Sequence, residues 1–194
     1  TETKLLWAFG AELSVDVCDE LKTLAELEAK DPLNRAIFLD KYVSALNEIE
    51  PIKEIYDSLA YSWSRPKNDS IARDCVRIDS ENQGLLSEHF RHMLGFKGNV
   101  IRLDQPIIAK IVEGVAASVC SSARSNLEVH ECYVLTTPKH RNKGFAVDAV
   151  RAWAATVNAA GAIPFYNTKS ENLAAQSGAT RASFTLYGRA LRIH

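Results

Sequence analysis

Two β-rich runs, residues 107–112 and 115–120, are joined only by Glu113 and Gly114. So short a connection between such runs admits a tight hairpin and little else, and glycine supplies the positive φ that the turn needs. This antiparallel pair limits what can follow it. A third run, residues 129–136, can pair alongside. A helix over residues 144–160 comes next, with Ala146, Val150, Trp153 and Val157 on one face and Gly161 suited to its C-terminal cap. Residues 162–166 read as a short strand. Thr168-x-x-Glu171 is a capping-box pattern opening a helix to about Ala182, and residues 184–193 read as a last strand. Strands interleaved with helices predict an α/β (α+β) domain, a mixed sheet covered by helices.

The front of the chain has another period. Val17, Leu21, Leu24 and Leu27 fall at helical spacing, and Asp31-Pro32 ends that helix, because the residue before proline avoids the helical region. Ile37, Phe38, Tyr42, Ala45, Leu46 and Ile49 repeat the period as far as Pro51. Ile52, Ile55, Tyr56 and Leu59 predict a further helical turn or two. Residues 64–70 read as an exposed loop and mark a soft boundary. The expected division is a helical segment over 1–70 and an α/β domain over 71–194. The latter opens with a strand at 76–78. Ser80-x-x-Gln83 then caps a helix carrying Leu85, Leu86, Phe90 and Met93.

Bulk properties exclude several functions. The formal net charge is −1 over 194 residues, so neither nucleic acid nor an anionic membrane is expected as main partner. No run of 18 apolar residues occurs and no basic-then-apolar leader opens the chain, so cytoplasm is the expected compartment. Cys18, Cys75, Cys120 and Cys132 lack the short repeated spacings of a metal cluster or disulfide framework, and reduced thiols are expected. His130-Glu131 is not a zinc pair, because H-E-x-x-H needs a histidine where Val134 stands. No metal site is expected.

The informative segment is residues 136–146, between a strand and a helix. A helix start leaves backbone N–H groups without internal partners, and the helix dipole gives them about half a positive charge. A tight loop that turns several of them inward makes an anion nest. Gly144 removes a Cβ where a phosphate would press on the backbone, and Arg141 and Lys143 add positive charge. His140 sits beside the loop, where it reads as an exposed turn residue or a phosphate contact. Neither a Walker loop nor a Gly-x-Gly-x-x-Gly fingerprint is present.

Arg141-x-x-Gly144-x-Ala146 resembles the Arg/Gln-x-x-Gly-x-Gly/Ala element of the GNAT superfamily of N-acyltransferases. Residues 164–176 are similar to that family's next strand and helix, with Asn172 at the position that usually contacts the pantetheine arm. The hairpin at 107–120 fits the same order of elements, and the likeness is most like the FR47-like branch. It spans residues 98–188 and is weak before residue 75. The resemblance implies a mostly antiparallel central sheet with a helical N-terminal extension. It implies acetyl-CoA as cofactor, its diphosphate held at Arg141, Asn142, Lys143, Gly144, Phe145 and Ala146. The pantetheine arm would then lie along Val134, Leu135 and Thr136, where the strand splays from its neighbour.

An attacking amine must lose a proton, and lysine-like amines have a pKa of about 10.4, so a base helps. By the resemblance Glu131 is the candidate base, with Glu128 and His130 as alternates. The family's usual acid, a tyrosine seven residues after the helix asparagine, is Ala179 here. Tyr187 is the candidate substitute, with Tyr166 as a second. The usual glycine before the phenylalanine at the helix end is Ser183. The expected function is acetyl transfer from acetyl-CoA to a primary amine of a small or amino-acid-like molecule in a ternary complex. The alternative is a non-catalytic module that binds an acyl-CoA or a partner. The helical front is expected beside the acceptor site or in a homodimer contact.

Overall fold

A computed structural model describes residues 5–10, 12–28, 34–64, 74–94 and 105–194. Among the described residues seven strands form one sheet in the order β2-β3-β4-β5-β6-β1-β7; β2 with β3, β3 with β4 and β4 with β5 pair antiparallel, and β5 with β6 pairs parallel. The strands are β1 (Ile55–Trp63), β2 (Cys75–Arg77), β3 (Ile108–Val112), β4 (Val115–Ser125), β5 (Val129–Thr136), β6 (Ile163–Lys169) and β7 (Phe184–Ile193). The α-helices among the described residues are α1 (Val15–Leu27), α2 (Leu39–Asn47), α3 (Phe145–Ala159) and α4 (Leu173–Arg181). The chain falls into two compact units, Thr1–Ala60 with Tyr187–His194, and Tyr61–Leu186. The expected boundary loop lies mostly in 65–73, outside the described residues, as does Asp31-Pro32.

In the second unit the hairpin forms as its sequence dictates. Glu113 and Gly114 take φ of +51° and +78°, the pair of left-handed residues that a two-residue turn between twisted strands requires. Helix α3 buries Val147, Ala149, Val150, Trp153, Ala154 and Val157; of the face its spacing predicted, Val150, Trp153 and Val157 are buried and Ala146 is half-buried. Trp153 is fully buried and donates its Nε1–H to Ser122 Oγ at 3.2 Å, and Ser122 Oγ lies 2.9 Å from His130 Nδ1. Removing a ring of that size from such a site costs about 3–5 kcal/mol. A second cluster joins Ile78, Leu86, Phe90, Ile107, Ala109 and Val119. Its helical part differs from expectation. Residues 83–94 make two 3-10 turns, Gln83–Leu85 and Glu88–Leu94, not one capped helix. Asp79 takes the capping role instead, its Oδ1 accepting from the N–H groups of Glu81 and Asn82.

In the first unit Glu28, just past α1, accepts from the N–H groups of Ile37 and Phe38 at 2.7 and 3.0 Å. Burial, reinforced by Glu28, pushes the Tyr42 hydroxyl up to about 12. Asp57 and Arg189 form an ion pair, with Nε to Oδ1 at 2.6 Å, and Glu54 exchanges backbone hydrogen bonds with His194. The helical turn expected around Ile52, Ile55, Tyr56 and Leu59 is corrected: Ile55, Tyr56 and Leu59 belong to β1, and Ile52 precedes it. The apolar spacing there imitates a helix because β1 stands between β6 and β7, inside the sheet. Such a strand need not alternate apolar and polar residues.

Candidate functional site

The loop between β5 and α3 builds the site in the second unit. A short 3-10 turn, Pro138–His140, leads into Arg141. Asn142 then takes φ +60° and Gly144 takes φ +83°, so two left-handed residues fold the chain back to start the helix. Asparagine and glycine are the residues that tolerate this conformation best. Val147 and Asp148 donate their N–H groups to the Gly144 carbonyl at 2.9 and 3.2 Å. Among the described residues, none accepts from the main-chain N–H groups of residues 142–146. They lie at the positive end of a fifteen-residue helix, unengaged by protein carbonyls.

A cleft of about 360 Å³ opens beside the loop, lined by Lys143, Gly144, Val147, Asp148, Arg151 and Arg181. Arg181 reaches in from the last turn of α4. A Cβ placed on Gly144 would lie 3.3 Å from its Nη2, so the glycine leaves room for the guanidinium to approach the loop. Arg151 donates from Nη2 to the Arg181 carbonyl, tying the end of α4 to α3. Arg141, Asn142 and Lys143 are exposed, while Gly144, Phe145 and Ala146 are half-buried. His140 corrects the expectation of an exposed turn. It is buried, its Nδ1 is 2.8 Å from Thr137 Oγ1, and its ring meets Phe145 edge-on at 5.9 Å. Burial, followed by the charges of Lys139 and Lys143, holds its pKa below the ordinary histidine value.

The second feature is a gap in the sheet. Parallel pairing of β5 with β6 covers Val129 with Ile163, His130 with Pro164 and Glu131 with Phe165, and stops there. Beyond it, residues 132–136 and 166–169 have no pairing to each other. Ile163 donates to the Glu128 carbonyl and Thr137 to the Ala117 carbonyl on β4. Main-chain groups alternate sides along a strand, so those of Val134 and Thr136 face the gap. Leu135 corrects the expectation: its main chain turns to β4, where its carbonyl also accepts from Ser118 Oγ at 3.0 Å. On β6, Asn167 Oδ1 is buried with no partner among the described residues. A buried acceptor without a donor is costly, and a ligand N–H would satisfy it.

Glu131 sits at the apex of the gap, at the last paired position. Arg124 holds its carboxylate by two contacts, Nε to Oε2 at 3.2 Å and Nη2 to Oε1 at 3.3 Å. Of the alternates, Glu128 is exposed, and His130 is buried against Ser122. Tyr166 is buried among Tyr61, Phe184 and the thiols, and desolvation pushes its hydroxyl pKa up. Tyr187 is half exposed on β7 and belongs to the first unit, whereas Glu131 and the loop belong to the second. Asn172 does not lie inside a helix begun at Thr168. Strand β6 runs on to Lys169, and Asn172 is itself the N-cap of α4, its Oδ1 accepting from Ala175 N at 3.0 Å. Its amide N–H groups remain available as donors.

Sequence reasoning missed Asp148, Arg151, Arg181 and Asn167. The spacing from Gly144 to Asp148 to Arg151 puts all three on one helix face, and that signal was readable. Arg181 carries no such signal, because only the packing of α4 against α3 brings it over the loop. Among the described residues, no group of His, Cys, Asp and Glu is arranged to hold a metal ion, and no helix is long and apolar enough to cross a membrane.

No family model and no curated protein matches the chain. Solved structures do. A GNAT-family structure from Novosphingobium aromaticivorans superposes with TM-score 0.57 at 14% identity, covering 72% of this chain and 64% of that one. A GCN5-related N-acetyltransferase-like protein from Streptococcus suis gives 0.58 at 16%, over 91% and 76%. An acetyltransferase of the GNAT family from Colwellia psychrerythraea gives 0.58 at 15%, over 97% and 76%. The chain thus spans under two thirds of the first and about three quarters of the others. Likeness at such identity establishes the fold alone: the chain has the architecture of these GNAT structures.

Proposed function

We propose that the chain is an FR47-like GNAT acyltransferase that moves an acetyl group from acetyl-CoA to a primary amine of a small or amino-acid-like acceptor in a ternary complex. One observation carries the reading. Five consecutive amides, 142–146, stand at a helix start without acceptors among the described residues, and Lys143 and Arg181 line the cleft beside them. Each charge-assisted bond to a phosphate oxygen contributes about 1.5–3 kcal/mol, and a few of them suffice for micromolar affinity after the cost of association. The residues fit the cofactor along its length. The loop suits its diphosphate, and the open edge of β5 suits an arm that pairs as an added strand. Asn167 and Asn172 offer an acceptor and a donor to its amides.

Acetyl-CoA held there would supply a thioester open to attack by an amine. The Val134 N–H, facing the gap, polarises the thioester carbonyl. Glu131, fixed by Arg124 at the apex, takes the proton that the attacking amine releases. Ala179, in place of the usual tyrosine, favours a second reading, a module that binds acyl-CoA without turnover. Thiol release across a panel of amines separates the two. The enzyme reading expects turnover that falls about 100-fold or more in Glu131→Gln with acetyl-CoA affinity kept. Saturable acetyl-CoA binding with no thiol release from any amine would leave the binding module.

A further inference from the structure

The cleft beside the loop contains one charge of the wrong sign. Of the described residues lining it, Asp148 is the sole carboxylate, one turn into α3 and beside Gly144. An ionised carboxylate there would repel the phosphate that Lys143 and Arg181 attract. The structure supplies a remedy from below. Lys110 rises from β3 with its side chain 11% exposed, and its Nζ lies 3.2 Å from Asp148 Oδ2. It also lies 3.7 Å from Asp74 Oδ2 and 5.9 Å from the centroid of the Phe145 ring. The Asp148 contact outweighs the Asp74 contact for two reasons. It is shorter, and Asp148 is 34% exposed against 72% for Asp74, so solvent screens it less.

We propose that Lys110 is the positioning residue that makes this cleft fit for a phosphate, by cancelling the charge of Asp148 from beneath the loop. Lys110 is not among the residues that line the cleft. It acts through Asp148, and so sets how much of the positive potential of Lys143 and Arg181 reaches a bound anion. The inference rests on the cofactor reading above and adds a residue that lies outside the loop motif.

Calorimetric titration with acetyl-CoA of four full-length proteins tests it: wild type, Lys110→Met, Asp148→Asn and the double variant, each checked by thermal melting. Lys110→Met keeps the length of the side chain and should weaken binding about tenfold, since it leaves the carboxylate uncompensated. The double variant should return to within about threefold of wild type, although it lacks both partners. Asp148→Asn alone should bind as tightly as wild type or tighter. A purely structural brace predicts the reverse, with the double variant as weak as Lys110→Met or weaker. That result, or weaker binding by a folded Asp148→Asn, would overturn the inference even if Lys110→Met failed to fold. Wild-type protein that ignores acetyl-CoA would instead overturn the cofactor reading, and this inference with it.

Discussion

At the scale of single residues, left-handed positions separate what the loop needs from what the chain tolerates. Gly144 and Asn142 are suited to their positive φ. Ser183 is not: it holds φ +69° after α4, where the resembling family has glycine. A serine there gives up about 1 kcal/mol to steric strain. Ser183→Gly should therefore raise stability by roughly that amount in urea unfolding, with cofactor affinity unchanged. A lower midpoint would mean that the Ser183 side chain contributes more than its strain costs. His140 has a pH consequence. Its folded pKa is depressed, so the unfolded chain binds the proton more readily, and the stability it contributes is present above the unfolded value of 6.5 and lost as pH falls below it. His140→Asn should flatten that part of the pH dependence of the melting temperature. An unchanged slope would assign the effect to other groups. Residue identity in the loop was legible because Arg141, Gly144 and Ala146 keep a fixed spacing. The setting of His140 was not, because burial depends on Thr137 and Phe145 folding over it.

At the scale of elements, patterns that use one local rule were readable, and those set by neighbours were not. The hairpin turn needed only Glu113-Gly114, and α3 needed only its apolar face. Strand β1 imitated a helix, because pairing on both edges, rather than its own alternation, makes it a strand. The start of α4 shows a second limit. Thr168 and Glu171 have capping-box spacing, yet β6 holds Thr168 in the sheet and Asn172 caps the helix. Asn172 caps α4, and one substitution separates that role from the proposed cofactor contact. Aspartate keeps the accepting oxygen of the cap and loses the amide donors. Asn172→Asp should melt within a degree or two of wild type and bind acetyl-CoA several-fold more weakly, whereas Asn172→Ala should also lose about 1 kcal/mol of stability. Equal affinity in the aspartate variant would leave Asn172 as a cap alone.

At the scale of the whole molecule, the fold class was legible and its strand order was not. A mixed sheet under helices follows from the alternation of elements after residue 107. The sequence carries no mark that a strand from the front would stand between β6 and β7. A fragment beginning near residue 72 lacks that strand and exposes two unpaired edges, which invite aggregation. It should be insoluble or molten, with a broad or absent melting transition. A soluble fragment with a sharp transition would show that β1 is dispensable. The reading of function depends less on the sheet's order than on where the open edge of β5 meets the loop. The most direct measurement is an amide ¹H–¹⁵N spectrum of the full chain titrated with coenzyme A. The amides of residues 142–146, with Val134 and Thr136, should shift together and saturate at one equivalent, because their N–H groups gain acceptors. If those signals stay in place while others move, or if nothing moves at millimolar ligand, the loop holds no diphosphate and the acyl-transfer reading is wrong.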